Sequence, residues 1–132
     1  MVIRVYDSGY RGECRKEEYE QIDCASWLQF NHPDRWPLVF HVANETKANA
    51  HYMQKRQKMG VSPGVADIID FGLVRGAFEM KRLDKSQCSV SKDQRAFLTA
   101  TNETGGFAAI CYGFEQFKLA YADYLVFVAK NS

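Results

Sequence analysis

None of the four cysteines, Cys14, Cys24, Cys88 and Cys111, forms a C-x-x-C pair. That argues against a structural zinc site. The first residues, Met1-Val2-Ile3-Arg4-Val5-Tyr6-Asp7, lack the basic-then-apolar plan of a signal peptide. A cytoplasmic protein with four free thiols is therefore expected. Long apolar runs are missing too. Tyr124 to Ala129 is far too short to span a bilayer, and the mean hydropathy is −0.37. The histidines, His32, His41 and His51, have no metal-ligand spacing. His41 falls in a predicted strand and reads as a core or rim residue. There is no internal repeat and no low-complexity linker.

Charge of one sign is also lacking, with 17 basic and 16 acidic residues in 132. Overall charge alone does not point to a nucleic-acid binder, but its distribution is uneven. Residues 41–60 carry Lys47, Lys55, Arg56 and Lys58 against only Glu45. Such a patch suits either a phosphate-tracking surface or a plain solvated helix face.

What is present is a sizeable apolar fraction, 46% hydrophobic and 14% aromatic, enough to bury a core. Residues 1–13 contain Gly9 and Gly12 and read as a loose arm with a short strand at Val2–Tyr6. A helix is predicted over 15–30, stopped by Asn31-His32-Pro33-Asp34. Pro37 to Val42 suits a strand, and Lys47 to Met59 a helix ended by Gly60. Ala66–Phe71 and Ala77–Arg82 read as strands joined by a hairpin-length connection, Gly72 to Gly76. Ser91 is a good N-cap for a helix reaching about Thr101. Phe107–Tyr112 is a further strand, and a helix runs from Phe114 to about Val128. The order α-β-α-β-β-α-β-α predicts one α/β domain over residues 1–132, with a mixed sheet flanked by helices.

The strand at 77–82 alternates Phe78 and Met80 with Glu79 and Lys81, so apolar and charged residues take opposite faces. The short connection makes the preceding strand its neighbour, which brings Asp67 toward Glu79. Two adjacent carboxylates repel and raise each other's pKa, and a divalent cation relieves that repulsion. Oxygen ligands without His or Cys suit Mg²⁺ or Mn²⁺.

The sequence resembles the VRR-NUC (virus-type replication-repair nuclease) domain of the PD-(D/E)XK nuclease superfamily over roughly residues 17 to 125. The resemblance is carried by His41-Val42-Ala43-Asn44-Glu45, Lys58 to Asp67, Phe78-Glu79-Met80-Lys81, Ser91-Lys92-Asp93-Gln94, Gly106 and Tyr112-Gly113. Ala66 stands where the family often has proline. The resemblance implies a restriction-endonuclease-like core, with Asp67 and Glu79 as metal ligands and the Met80 carbonyl as a further one. It makes Lys81 the catalytic lysine, orienting the attacking water or neutralising charge on the phosphorane.

A further ligand is implied on the first helix, four residues before a glutamine. Glu17 and Gln21 have that spacing and share a helical line with Cys24 and Leu28. Glu20 is the rival, and the acid that is not a ligand would be a solvated first-turn residue favoured by the helix dipole. Gln94 stays open between a contact to the scissile phosphate and a capping-box glutamine paired with Ser91. Asn44, Lys55, Arg56 and Lys58 are expected at the DNA, with bracing of the first strand as the favoured alternative for Asn44.

The function so implied is Mg²⁺- or Mn²⁺-dependent hydrolysis of phosphodiesters in branched or flapped DNA, Holliday junctions included. The enzyme would be a homodimer in the cytoplasm of a bacterium or phage-infected host. A non-catalytic nucleic-acid-binding protein with the same fold is the alternative.

Overall fold

Two buried parallel strands organise the molecule. In the computed structural model, which describes residues 2–42, 50–60 and 63–132, β4 (Gly76–Lys81) pairs with β5 (Phe107–Tyr112) in the register Phe78↔Ala109 and Met80↔Cys111. All twelve residues are buried, as the nearly unbroken apolar run of β5 leads one to expect of a strand covered on both faces. β1 (Arg4–Tyr6) joins β5 in parallel. β3 (Ile68–Asp70) and β2 (Val39–His41) continue the other side antiparallel, giving the order β1-β5-β4-β3-β2. Among the described residues the α-helices are α1 (Glu17–Asn31), α2 (Ala50–Lys58), α3 (Lys92–Glu103) and α4 (Phe114–Asn131).

The period-2 alternation of β4 and β5 divides the core into two layers. Phe78, Met80, Phe107, Ala109 and Cys111 meet Cys24 and Leu28 of α1 and Phe117, Ala120, Tyr121 and Tyr124 of α4. Phe78 lies at its centre, with ring centroids 5.2 to 5.9 Å from Phe107, Phe117, Tyr121 and Tyr124. On the opposite face Ala77, Ala108, Ile110 and Tyr112 pack with Leu98 of α3 and with Ala66. Glu79 and Lys81 share this second face. Among the described residues no helix is long and apolar enough to cross a membrane.

The β3–β4 hairpin register is pinned from outside the sheet. Asp70 is fully buried, and Arg35 donates to both its oxygens at 3.1 and 2.9 Å. Tyr121 donates its hydroxyl to the same carboxylate at 2.6 Å. Charge-assisted bonds of this kind fix geometry as well as energy.

Several expectations change. The supposed loose arm is tied down: its strand forms a sheet edge, and Gly12 N–H donates to Asp84 Oδ2 at 2.8 Å. Pro37 lies in a 3₁₀ turn, Trp36–Leu38, because it has no N–H for a ladder, and β2 starts only at Val39. On α1, Glu20 is buried beside Cys24 and Leu28, whereas the apolar Ile22 is exposed. The start of the predicted 47–59 helix lies outside the described residues, as do Asn44, Glu45 and Lys47.

Gly64 explains how the start of α3 approaches the turn before β3. Its φ is +80°, and a Cβ there would sit 2.4 Å from the backbone carbon of Asp93. Gly64→Ala should therefore destabilise the fold by at least about 2 kcal/mol, the sum of left-handed strain and a clash with backbone that cannot rotate away. Gly105→Ala (φ +94°, with open space around the new Cβ) should cost only the conformational part, about 1 kcal/mol. Urea unfolding of the two variants measures the difference, and equal losses would remove the packing role of Gly64.

Candidate metal centre

The site forms where β3, β4 and the start of α1 meet. The hairpin pairs Ile68 with Phe78, so continuing the register one step sets Asp67 across from Glu79. Asp67 Oδ2 accepts the Met80 N–H at 2.8 Å, which brings the β4 main chain alongside the carboxylate. From the other side Val42 N–H donates to the Asp67 carbonyl at 3.0 Å, and His41 Nδ1 lies 2.8 Å from that oxygen. His41 is an exposed rim residue whose ring also contacts the Gln21 amide. Gln21 sits one turn after Glu17, so α1 and β2 touch next to the acids.

Ligand oxygens of Glu17, Asp67 and Glu79 all lie within 4.8 Å of one another. Glu79 is 1% exposed, and its Oε2 is buried without any hydrogen-bond partner. Burial and then the neighbouring Asp67 charge push the Glu79 pKa far above the usual carboxylate range. Burial also raises Asp67, against the opposing pull of the Glu79 carboxyl group as a hydrogen-bond partner, the Met80 N–H and Lys81. Ionising both acids of such a pair calls for nearby positive charge, of which Lys81 supplies one. Three hard oxygen donors and an orphaned buried oxygen fit a divalent cation of the Mg²⁺ or Mn²⁺ class.

Lys81, 6% exposed, places Nζ 3.8 Å from Glu79 Oε1. Gln94 ties the two together. Its Nε2 donates to Glu79 Oε1 at 3.0 Å, and its Oε1 accepts from Lys81 Nζ at 3.2 Å. The same Oε1 accepts Ser91 N–H at 2.9 Å, and Gln94 N–H donates to Ser91 Oγ at 3.1 Å, completing a capping box. One glutamine thus starts α3 and braces the E-x-K pair.

Glu20 is not the solvated first-turn acid expected of the rival glutamate. Arg15 donates to both its oxygens at 2.8 and 3.0 Å, and Oε1 also accepts Phe114 N–H at 2.8 Å. Gly113, at the N-cap of α4 with φ +95°, has no side chain to cap that helix, and Glu20 supplies the cap from α1. The missing cap after Gly113 was the available signal, since every helix N-terminus needs acceptors.

Lys55, Arg56 and Lys58 occupy the last turn of α2, with Lys55 and Lys58 exposed and the Arg56 guanidinium 5.9 Å from the Tyr52 ring. The four cysteines are free thiols.

No family model and no curated protein matches this chain. A solved structure described as a VRR_NUC domain protein superposes with a TM-score of 0.70, covering 87% of this chain and 92% of that one, at 15% identity. The chain has a VRR-NUC-like fold. The mixed five-stranded sheet with flanking helices is the restriction-endonuclease-like arrangement expected from the motifs.

Glu17 and Glu20 of α1 should separate experimentally. Burial opposes ionisation of Glu20, but the Arg15 bond and the Phe114 N–H outweigh it and hold its pKa below the usual range. Its folded pKa is thus below its unfolded one. The stabilisation is full above the unfolded value and is lost as pH falls through the folded value. Glu20→Gln should cost about 1–2 kcal/mol at pH 7, roughly 3–8 °C in Tm, with the gap closing toward pH 3. Glu17→Gln should weaken Mn²⁺ binding at least about tenfold. Calorimetry and Mn²⁺ titration read both, and the reverse pattern would exchange the two assignments.

Proposed function

We propose that this protein is a divalent-metal-dependent nuclease that hydrolyses phosphodiester bonds in DNA. The observation that carries the reading is the acidic cluster: carboxylate oxygens of Glu17, Asp67 and Glu79 lie within 4.8 Å of one another, Glu79 Oε2 is buried without a hydrogen-bond partner, and the Lys81 ammonium is 3.8 Å from Glu79 Oε1. A structural acid in such a place is normally saturated with hydrogen bonds.

In this reading Glu17, Asp67 and Glu79, with the Met80 carbonyl, hold Mg²⁺ or Mn²⁺. When bound, the cation supplies Lewis acidity that activates water and draws charge from a phosphoryl oxygen. Lys81 keeps its Nζ aimed into the site through Gln94 and Glu79, where it orients the nucleophile and offsets the charge of the phosphorane. Gln94 acts by positioning, since both acceptor directions of its oxygen are used by Lys81 and Ser91 N–H. Asp67 is fixed from two sides by main chain, which keeps the ligand set preorganised. Lys55, Arg56 and Lys58 track the DNA backbone, with Asn44 as a further contact. The preference for branched or flapped DNA and the homodimer belong to the same proposal through the resemblance.

Incubation with labelled linear, flapped and four-way DNAs in Mn²⁺ tests it. Wild type should cut at least one of them. Asp67→Ala, Glu79→Ala and Lys81→Ala should each lose at least about 100-fold in rate while staying folded. DNA binding without cleavage by wild type would favour a non-catalytic accessory protein, and full activity in Glu79→Ala would sink the site as drawn.

The basic turn makes a separate forecast. Changing Lys55, Arg56 and Lys58 together to glutamine should weaken DNA binding and lower the log–log salt slope by about 0.9 for each phosphate that is no longer neutralised. The metal-induced rise in Tm should survive. An unchanged slope returns these residues to a solvated helix face.

A further inference from the structure

The chain leaves the E-x-K strand through residues 82–87, and that loop grips the segment leading into Glu17. Arg82 Nη2 donates to the Cys14 carbonyl at 2.8 Å, and Arg82 Nε donates to the Arg15 carbonyl at 3.2 Å. Asp84, 3% exposed, accepts Gly12 N–H at 2.8 Å on Oδ2. Its Oδ1 accepts Ser86 N–H at 2.9 Å and Ser86 Oγ–H at 2.7 Å, which fixes the loop itself. Gln87 Nε2 donates to the Gly12 carbonyl at 2.6 Å. Four main-chain groups over residues 12–15 are therefore held by three side chains from 82–87.

Glu17 needs such a grip. It is the first residue of α1, and Lys16 at the N-cap makes no side-chain capping bond. An uncapped first turn frays, and a ligand on it would have to be ordered each time an ion binds. The clasp removes that freedom two residues before Glu17. It begins one residue after Lys81, so Glu17 is indexed to the strand that carries Glu79.

We propose that Arg82 and Asp84 are positioning residues that set Glu17 in its place in the acidic cluster by clasping residues 12–15 to the end of β4. The proposal rests on the reading of Glu17, Asp67 and Glu79 as metal ligands. It makes the N-terminal segment part of the metal site although no described residue before Glu17 belongs to the acidic cluster.

Mn²⁺ affinity of the full chain, measured calorimetrically in a double-mutant cycle, tests this. Arg82→Ala and Asp84→Asn should each weaken Mn²⁺ binding about tenfold, the usual consequence of removing a group that orients a ligand. In a Glu17→Gln background the same changes should weaken it less than about twofold, because the residue they position is no longer a ligand. A merely structural clasp would lower Tm and affinity alike in both backgrounds. Gln87→Ala, at an exposed position, should give a smaller loss with the same dependence on Glu17, and it stands in if Asp84→Asn does not fold. Equal losses in both backgrounds, or no loss in the wild-type background, overturn the proposal. A wild type that binds no Mn²⁺ overturns the metal reading and this inference with it. Mn²⁺ binding that Glu17→Gln leaves unchanged overturns the clasp and the ligand role of Glu17, and leaves a metal site of Asp67 and Glu79.

Discussion

Burying an acid on a central strand is the constraint around which this molecule is arranged. Glu79 sits in β4, flanked on both sides by other strands, at 1% exposure. Moving a carboxylate out of water is expensive unless it is neutralised or fully hydrogen-bonded. The fold answers only in part. Gln94 and Lys81 address Oε1, and Oε2 is left without a donor beside a second acid. The strand cannot release Glu79 to solvent, because the same period-2 pattern fixes Phe78 and Met80 in the opposite layer. Turning the acid out would expose the aromatic centre of the core.

Holding Asp67 against that acid is a matter of register. A slip of one residue in β3 would send Asp67 to the other face and Ile68 out of the core. Both ends of the short strand guard against it. Arg35 and Tyr121 lock Asp70 at one end, and the Val42 N–H and Met80 N–H hold Asp67 at the other. β3 has only three ladder residues, so these side-chain and capping bonds take the place of strand length. Gly64 makes the adjacent close approach of α3 feasible, and α3 in turn carries Gln94 to the E-x-K pair.

What was legible in the sequence is what repeats locally. β5 is found as predicted at Phe107–Tyr112, and the Ser91 cap and the alternation of Phe78-Glu79-Met80-Lys81 are likewise local patterns visible without coordinates. The convergence of Asp67 on Glu79 followed from a short connection alone. What stayed hidden depends on partners far apart in the chain. Glu20 caps α4 across 94 positions, and Asp84 reaches Gly12 across 72. Neither bond leaves a period or a spacing behind. Arg82 and Asp84 look in the sequence like ordinary polar loop residues. The arm reads as loose for the same reason: its glycines are visible, but the side chains that hold it lie beyond Lys81.

Glu17 and Glu20, two of the three glutamates in the first turn of α1, show how structural and chemical acids differ. They are three residues apart, about 60° around the helix, and composition does not distinguish them. Glu20 faces the α1–α4 seam and is saturated, with a bidentate arginine and a helix N–H, so it stays ionised when buried. Its donors leave it little capacity to bind anything else. Glu17 faces the acidic pair, and what surrounds that pair is an excess of acceptors over donors. An excess of acceptors destabilises the metal-free protein and is tolerated because the rest of the fold holds the strands rigidly. The same excess gives a divalent cation a reason to bind. Donor saturation therefore marks Glu20 as the helix-capping glutamate, and closeness to Asp67 and Glu79 marks Glu17 as the candidate ligand.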